Sequence, residues 1–275
     1  LLLRSTVLLS AGRVDEARTE IGAALQKDPN SGAAYALRSV IAVALNENET
    51  ALADGRRAVE LSPQSGAATI ALSYALQANL QLAPARAALL ELVELQPEDA
   101  LAWARLAELH LMLGNLKEAN AAAERAVALQ PGLGRTQSVL GFTALAAIDT
   151  ARAKAAFEQA VALDSDDPMP RLGLGLAKIR QGRLDEGRAG LEAAVALDSN
   201  NSLLRAYLGK AYFEEKRGPL DAIQFEVAKE LDPLDPTAYF YNAIRLQTEN
   251  QPVEALHELD AAIELMLDEI NKHPY

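Results

Sequence analysis

Residues 102–131 read AWARLAELHLMLGNLKEANAAAERAVALQP, and this stretch carries the only tryptophan of the chain among many alanines. Its leucines, alanines and glutamates are strong helix formers, and Gly114 stands where a left-handed residue can end a helix. The stretch therefore predicts two helices joined by a short turn. Its alanines either line a reaction site or let the two helices approach closely, and the rest of the sequence decides between these interpretations.

Five prolines set a fixed spacing along the chain. Pro29, Pro63, Pro97, Pro131 and Pro233 are separated by 34, 34, 34 and 102 residues, and 102 is three times 34. Self-similarity at such a period indicates a stack of structural repeats. Without insertion or deletion the chain divides into blocks 1–31, 32–65, 66–99, 100–133, 134–167, 168–201, 202–235 and 236–269, followed by a tail at 270–275. The first block lacks its first three positions.

Small residues recur at three positions of these blocks. Position eight holds Ser5, Ser39, Ser73, Ala107, Gly141, Gly175, Gly209 and Ala243. Position 20 holds Ala17, Ala51, Ala85, Ala119, Ala153, Gly187, Asp221 and Ala255, and position 27 holds Ala24, Ala58, Leu92, Ala126, Ala160, Ala194, Ala228 and Ala262. Small side chains on facing helices allow close packing, so the alanines are predicted to be structural. Asp221 interrupts its column, and because Pro219 lies two residues earlier we expect a shifted helix start there rather than a catalytic acid.

The ends of the predicted helices are also marked in the sequence. The last position of successive blocks holds the N-cap candidates Ser31, Ser65, Asp99, Asp167, Asn201 and Asp235, with Leu133 as the exception. Position fifteen holds Gly12, Asn46, Gly114, Gly182 and Asn250, which tolerate the left-handed conformation that ends a helix. Each block is therefore predicted to be a helix, a turn and a second helix.

The residues Trp103, Leu106, Ala107, Ala119, Ala126 and Pro131 resemble the pattern of the tetratricopeptide repeat, a 34-residue helix-turn-helix unit. The resemblance covers residues 1–269. It implies an all-α fold, a right-handed α-solenoid or superhelix of about eight repeats that forms one array. Fold and function are separable, so the repeat by itself names no activity.

Composition limits the possible partners. A formal net charge of −12 and a pI near 4.8 oppose binding to a polyanion, so we expect no nucleic acid partner. Because no run of about 18 apolar residues occurs, we expect no membrane insertion of this segment. The absence of cysteine excludes disulfides and thiolate chemistry and leaves the cellular compartment open.

No pattern in the chain indicates catalysis. Gly173 and Gly175 occupy helical packing positions rather than a phosphate-binding loop, and the three histidines lack the spacing of a zinc site. His110 falls at a packing position and is expected to be buried and hydrogen-bonded, while His257 and His273 are expected to meet solvent. Carboxylate pairs fall at helix starts or on outer faces. We therefore predict a protein that is not an enzyme and holds no metal or cofactor.

The resemblance also implies where a partner would bind. In this family the first helices form a concave wall, chiefly through positions two, five, nine, twelve and thirteen of each repeat, and here most of those positions are apolar. The predicted groove anchors are Ile70, Tyr74, Leu111, Met112, Phe142, Leu145, Met169, Leu176, Ile179, Phe213, Phe240 and Ile244. An amphipathic helix or an extended apolar peptide would suit such a groove. Equally, a tightly wound superhelix would pack these residues against one another.

Two recognition modes of related superhelices are not supported by the sequence. No consecutive repeats show the lysine and asparagine clamp with which chaperone-binding members hold a terminal carboxylate. Position six, where glycosyltransferase-linked members carry an asparagine ladder, reads Leu37, Ala71, Arg105, Val139, Gly173, Tyr207 and Tyr241.

The ends of the chain support a second hypothesis. Solenoids normally have polar terminal caps, yet the sequence starts within a repeat at Leu1, and the last repeat presents Leu259, Ile263, Leu265, Met266 and Leu267. We expect either flanking repeats or end-to-end self-association, and the tail at 270–275 is expected to extend the last helix before Pro274. The segment LDPLDPTAYFYNAIRLQTENQPVEAL, residues 231–256, resembles the repeat region of large bacterial envelope proteins, which implies a periplasmic location and a role in assembly or export.

From these observations we predict a non-catalytic scaffold that binds a protein or peptide in a mostly apolar concave groove. The alternative is a self-associating structural module of a bacterial envelope assembly or export complex.

Overall fold

The computed structural model describes residues 1–10 and 12–272, with side chains for residues 1–9 and 12–266. Sixteen α-helices and no strand occur in this described part of the chain. The helices are α1 (Leu2–Ser10), α2 (Val14–Lys27), α3 (Gly32–Ala44), α4 (Asn48–Leu61), α5 (Gly66–Ala78), α6 (Leu82–Leu95), α7 (Ala100–Met112), α8 (Leu116–Leu129), α9 (Gly134–Ala146), α10 (Thr150–Leu163), α11 (Pro168–Arg180), α12 (Leu184–Leu197), α13 (Ser202–Glu214), α14 (Leu220–Leu231), α15 (Pro236–Thr248) and α16 (Pro252–Lys272). The all-helical prediction is confirmed. From α3 onward every odd-numbered helix begins at the first residue of a 34-residue block.

The predicted N-caps act as caps. The side chains of Ser31, Ser65, Asp99, Asp167, Asn201 and Asp235 each accept a hydrogen bond from a backbone N–H in the first turn of the helix that follows. Leu133, which has no acceptor, makes no such bond before α9. Since an uncapped helix start leaves N–H groups without a protein partner, the caps stabilise the starts of six odd-numbered helices.

The turn inside each repeat uses one left-handed residue. The predicted residues Gly12, Asn46, Gly114, Gly182 and Asn250 all have positive φ, and so do Leu80, Ile148 and Lys216 at the same position. Eight equivalent turns therefore share one backbone conformation, although three of them hold a residue that this conformation disfavours.

The helices form two compact units, residues 1–129 and 130–275. Within each unit an odd-numbered helix packs against the even-numbered helix that follows it and also against the next odd-numbered helix. Among the described residues of each unit, no two even-numbered helices pack closely together. The odd-numbered helices of a unit therefore form a continuous inner row, which we call the first-helix row, and the even-numbered helices lie behind it.

Each hairpin closes at the position-eight column, and the two units do so differently. In the N-terminal unit the Oγ atoms of Ser5 and Ser39 donate hydrogen bonds to the carbonyls of Ala17 and Ala51, at 2.7 and 2.8 Å. In the C-terminal unit three of the four repeats have glycine at this position, and Gly141 and Gly209 make room for large groups.

A fully buried phenylalanine fills the space that two of these glycines leave. A Cβ placed on Gly141 would lie 2.5 Å from the ring of Phe157, and one on Gly209 would lie 2.7 Å from the ring of Phe225. A Cβ on Gly173, in the next repeat, would also overlap the Phe157 ring. The three small-residue columns are therefore packing positions, as predicted.

Position four of the repeat carries different residues with one shared role. Trp103 Nε1 donates to the carbonyl of Pro97 at 2.9 Å, six residues upstream. The same bond to the residue six places upstream is made by Gln137 at 3.1 Å, Arg171 at 2.5 Å, Arg205 at 3.0 Å and Tyr239 at 3.3 Å. The tryptophan is thus one of several side chains that tie the start of an odd-numbered helix to the turn before it.

Asp221 occupies a shifted helix start, as predicted. α14 begins at Leu220, two residues later in its block than the other even-numbered helices. Asp221 is buried, and its Oδ1 accepts from the backbone N–H of Ala222 at 2.7 Å. A carboxylate in the first turn also lies at the favourable end of the helix dipole, which offsets part of its burial cost.

Candidate functional site

The first-helix rows of the two units carry four and eight of the twelve predicted anchors, which differ widely in exposure. Met112, Phe240 and Ile244 are 45%, 47% and 40% exposed. The half-buried anchors are Ile70, Tyr74, Leu111, Phe142, Met169, Leu176, Ile179 and Phe213. Leu145 is only 7% exposed and belongs to the core beside Ala153 and Phe157, so it offers almost no surface to a partner.

In the N-terminal unit the row is organised around a buried arginine. Arg105 of α7 is 3% exposed. Its guanidinium donates to Ser73 Oγ at 2.9 Å, to Gln77 Oε1 at 2.6 Å and to Glu108 Oε2 at 2.9 Å, and it lies 3.7 Å from the centre of the Tyr74 ring. Burying a guanidinium costs free energy unless it is paired and hydrogen-bonded, and here it is both. Tyr74 is therefore part of a polar network that links α5 to α7, besides being a groove candidate.

In the C-terminal unit the wall residues of α9 and α11 are mostly apolar and pack against the core. The Phe142 ring meets the Phe157 ring edge-on, with ring centres 4.9 Å apart. Met169, Leu176 and Ile179 of α11 pack against the buried cluster that contains Leu172. These side chains serve the core with one face, so replacing them would disturb the fold as well as any binding surface.

An aromatic cluster joins α13 to α15. The rings of Tyr207 and Tyr241, 34 residues apart, have centres 5.7 Å apart, and Phe240 lies 5.5 Å from Tyr241. The Lys210 ammonium is 5.8 Å from the centre of the Tyr241 ring and forms an ion pair with Glu214. Burial, together with the neighbouring Tyr207 and Glu214, raises the pKa of Tyr241 well above its ordinary value, so this hydroxyl stays protonated at all physiological pH values.

The contacts of Arg105, Tyr207 and Tyr241 were not predicted from the sequence, where position six was considered only as an asparagine ladder. Their shared position was the available signal, because residues one repeat apart in that column are neighbours along the row. Large polar or aromatic residues there predict contacts from repeat to repeat.

The histidines form no site. His110 is buried, as predicted, but its Nδ1 makes no hydrogen bond among the described residues, contrary to expectation. Burial and the nearby charge of Arg86 lower the pKa of His110, so it is held neutral. His257 is exposed on α16, and His273 lies outside the described residues. Within the described residues no group of three or more His, Cys, Asp or Glu could hold a metal ion.

The last helix has an apolar stripe on its outer surface. Val253, Leu256, Ile263 and Met266 of α16 are 63%, 58%, 43% and 54% exposed. Leu259 and Leu265 are half-buried, and the side chain of Leu267 lies outside the described residues. α16 continues to Lys272, so it extends beyond the repeat. None of the described helices is both long and apolar enough to cross a bilayer.

Comparison with known families gives one consistent result. Two family models, each described as tetratricopeptide repeat, match residues 2–66 and 70–133 and residues 144–210, which together make up more than two thirds of the chain. No curated protein matches the sequence significantly.

Several solved structures have the same fold. A chain of the APC/C hetero-tetramer Cut9–Hcn1 superposes with a TM-score of 0.79 and 18% identity, over 98% of this chain and 54% of that one. A monomeric IFIT1 mutant with Gppp-AAAA gives a TM-score of 0.67 and 15% identity, over 92% of this chain and 67% of that one. A repeat protein from Parabacteroides merdae gives 0.62 and 13%, over 83% and 90%. This chain spans about half the length of the Cut9–Hcn1 chain, and at such identities the likeness concerns the fold alone.

Proposed function

The chain belongs to the tetratricopeptide repeat family, whose members are generally protein-interaction scaffolds, and from that premise we propose that its first-helix row binds an amphipathic helix or an extended apolar peptide of a partner protein. The observation that supports this most directly is the exposure of Phe240 and Ile244, 47% and 40%, on α15. Both are large apolar residues at wall positions of the repeat.

The proposed site lies in the C-terminal unit. There Phe240 belongs to the aromatic cluster around Tyr241, Ile244 follows one turn later on α15, and the wall residues Met169, Leu176 and Ile179 of α11 are half-buried. Aromatic and apolar side chains with a few polar neighbours are typical of the energetically important centre of an interface. No catalytic step is proposed, and the net charge of −12 argues against RNA, although IFIT1 with Gppp-AAAA has the same fold.

The test replaces the two most exposed wall residues of α15. A Phe240→Glu and Ile244→Glu double variant should lose most partner binding, because two charges would have to be buried against an apolar ligand. Binding is measured by affinity capture from the native extract and by anisotropy with a panel of amphipathic peptides.

The matched control is Leu163→Glu with Leu197→Glu. These leucines are both 43% exposed, at the ends of the even-numbered helices α10 and α12. The control should bind like the wild type, and circular dichroism should show unchanged helicity in both variants. Equal binding by the wild type and the Phe240/Ile244 variant would contradict the proposal.

A second candidate function is self-association. It is favoured by the exposed stripe of Val253, Leu256, Ile263 and Met266 on α16, which is the kind of surface that another helix normally covers. Light scattering should then give a mass that rises with concentration, and Leu256→Glu with Ile263→Glu should return it to that of the monomer. A monomer at every concentration would contradict this candidate. The likeness of residues 231–256 to envelope proteins stays a prediction.

A further inference from the structure

The junction of α11 and α12 with α13 shows how one repeat receives the first helix of the next. α13 contributes three buried apolar residues spaced i, i+4 and i+7, which lie on one face of the helix. They are Leu204, Leu208 and Ala211, and the cluster that receives them includes Leu172 of α11 with Leu191 and Val195 of α12. An incoming first helix is therefore held by both helices of the repeat before it.

Two polar contacts lie at the edge of the same junction. Tyr212, at i+8 in this count, donates from its hydroxyl to Glu192 Oε1 of α12 at 2.8 Å. Glu215, at i+11, forms an ion pair with Arg188 of α12 at 3.0 Å. The side chains at i+8 and i+11 of the incoming helix therefore meet two defined residues of the even-numbered helix.

The last repeat carries the same receiving surface without a helix on it. Phe240, Leu259 and Ile263 stand at the repeat positions of Leu172, Leu191 and Val195. Leu172 and Val195 are 1% and 7% exposed, whereas Phe240 and Ile263 are 47% and 43% exposed. Among the described helices only α15 packs closely against α16. An interface that is filled elsewhere in the chain is thus open here.

The edge of this open surface differs from its counterpart and indicates which helix would fit. Asp260 takes the place of Glu192, and Leu256 takes the place of Arg188. Asp260 is exposed and forms no ion pair with any residue whose side chain the structure describes. Leu256 is 58% exposed. A cation at i+8 would pair with Asp260, and an apolar side chain at i+11 would cover Leu256.

We propose that Phe240, Leu256, Leu259, Asp260 and Ile263 form an end face that binds a helix of a partner protein in the pose that α13 has on α11 and α12. The partner helix carries apolar residues at i, i+4, i+7 and i+11 and lysine or arginine at i+8. This site goes beyond the proposed groove, because it shares Phe240 with the groove but does not require binding along the row.

The experiment measures the fluorescence anisotropy of two labelled peptides with the whole chain. Both peptides copy residues 201–215, which include the cap of α13, and both carry Glu215→Leu. One has Tyr212→Lys and the other has Tyr212→Glu. At low salt the lysine peptide should bind the wild type about fivefold more tightly than the glutamate peptide, and Asp260→Lys should reverse this order.

A second protein variant tests the apolar part of the end face. Ile263→Glu should weaken binding of the lysine peptide by about tenfold or more, because its carboxylate would be buried against apolar side chains. Leu163→Glu is the matched control, since Leu163 at the end of α10 is also 43% exposed. Glu254→Lys is the control for Asp260→Lys, because it reverses a charge on α16 two residues before Leu256 and so on another side of the helix. Both controls should change binding less than about twofold.

The outcomes separate the end face from the groove and from self-association. If Asp260→Lys leaves the order of the peptides unchanged, or if Ile263→Glu binds like Leu163→Glu, the end face is overturned. Absence of binding by either peptide also excludes it, while the groove is judged by its own peptides and by the Phe240→Glu and Ile244→Glu variant. A mass that rises with concentration and falls with Ile263→Glu, without peptide binding, would assign the face to a second copy of the chain instead.

Discussion

The two units close similar hairpins with different residues at position eight of the repeat. In two hairpins of the N-terminal unit a serine at position eight donates to a backbone carbonyl of the facing helix, as Ser39 does to Ala51. In two hairpins of the C-terminal unit a glycine at the same position makes room for an aromatic ring, as Gly141 does for Phe157. The repeat therefore fixes a distance between two helices rather than a set of residues. The two solutions differ in how much they tolerate, because a hydrogen bond can be given up at small cost whereas a filled volume cannot accept another atom.

The largest effect is expected where a ring already fills the space. Gly173→Ala should destabilise the protein by about 3 kcal/mol, because the new methyl group overlaps a buried Phe157 ring that is also packed closely against Gly141. Urea unfolding measures the change, and adding Phe157→Leu should restore part of the loss. Gly22→Ala is the control, since nothing lies within 4 Å of its Cβ. It should be neutral or stabilising by up to about 1 kcal/mol. If Gly173→Ala were as harmless as Gly22→Ala, the volume argument would be wrong.

A second pair of substitutions exchanges turn residues between the units. Ile148, in the C-terminal unit, has φ 64° and is 75% exposed. The turn therefore holds a β-branched residue in a conformation that it disfavours, and burial of its side chain offsets little of this strain. Ile148→Gly should stabilise by about 1 kcal/mol, and Gly114→Ile, in the N-terminal unit with φ 74°, should destabilise by about 1–2 kcal/mol. Thermal unfolding measures both changes. Shifts of the same sign for the two variants would show that φ does not control these turns.

Removal of a serine hydroxyl should have a smaller effect. Ser39→Ala loses the 2.8 Å bond to the Ala51 carbonyl and should destabilise by about 1 kcal/mol. Alanine already stands at this position as Ala107, so the change introduces no clash. Urea unfolding, measured beside Gly173→Ala, gives the comparison directly. A loss equal to that of Gly173→Ala would erase the distinction between the two units.

The smallest effect is expected in how the free energy of unfolding depends on pH, through the buried His110 of the N-terminal unit. The pKa of His110 is lowered in the folded protein by burial and by Arg86, so folding favours the neutral ring. The unfolded chain takes up a proton near pH 6.5, and stability should therefore fall as pH drops below that value toward the lowered folded pKa. His110→Leu introduces the residue that Leu76 provides at the same repeat position, and it should reduce this loss by a few tenths of a kcal/mol or more. Urea unfolding at pH 7.5 and 5.5 measures it, and an unchanged pH dependence would show that other groups control the loss.

Much of the fold follows from local chemistry that the sequence displays. Six N-caps, the left-handed glycines and asparagines and the alanine columns are each decided by residues within one repeat. Leu145 was predicted as a groove anchor from its repeat position alone, which could not show that it is buried in the cluster that contains Phe157. Ile148 was missed since its conformation contradicts its own preference and is imposed by the repeat.

Paired substitutions inside a repeat were an unused signal. Positions seven and 23 face each other, and the pairs Arg4 with Glu20, Arg38 with Asp54 and Asn242 with Glu258 are bonded at 3.1, 2.6 and 2.8 Å. Most of the intervening repeats hold leucine opposite a small residue there, as in Leu72 with Ala88. A polar residue at one position is matched sixteen residues later, so the contact was visible in the sequence. The ligand-binding surface was less predictable, since exposure depends on how neighbouring repeats stack.

The bond from position four to the preceding turn has a consequence for how such chains diverge. Indole, amide, guanidinium and phenol groups all deliver a hydrogen to the same backbone oxygen. Chemically unrelated side chains can therefore replace one another at this position while the hydrogen bond to the preceding turn is kept. Repeats with low sequence identity are therefore better compared by the contacts that their side chains make than by residue type.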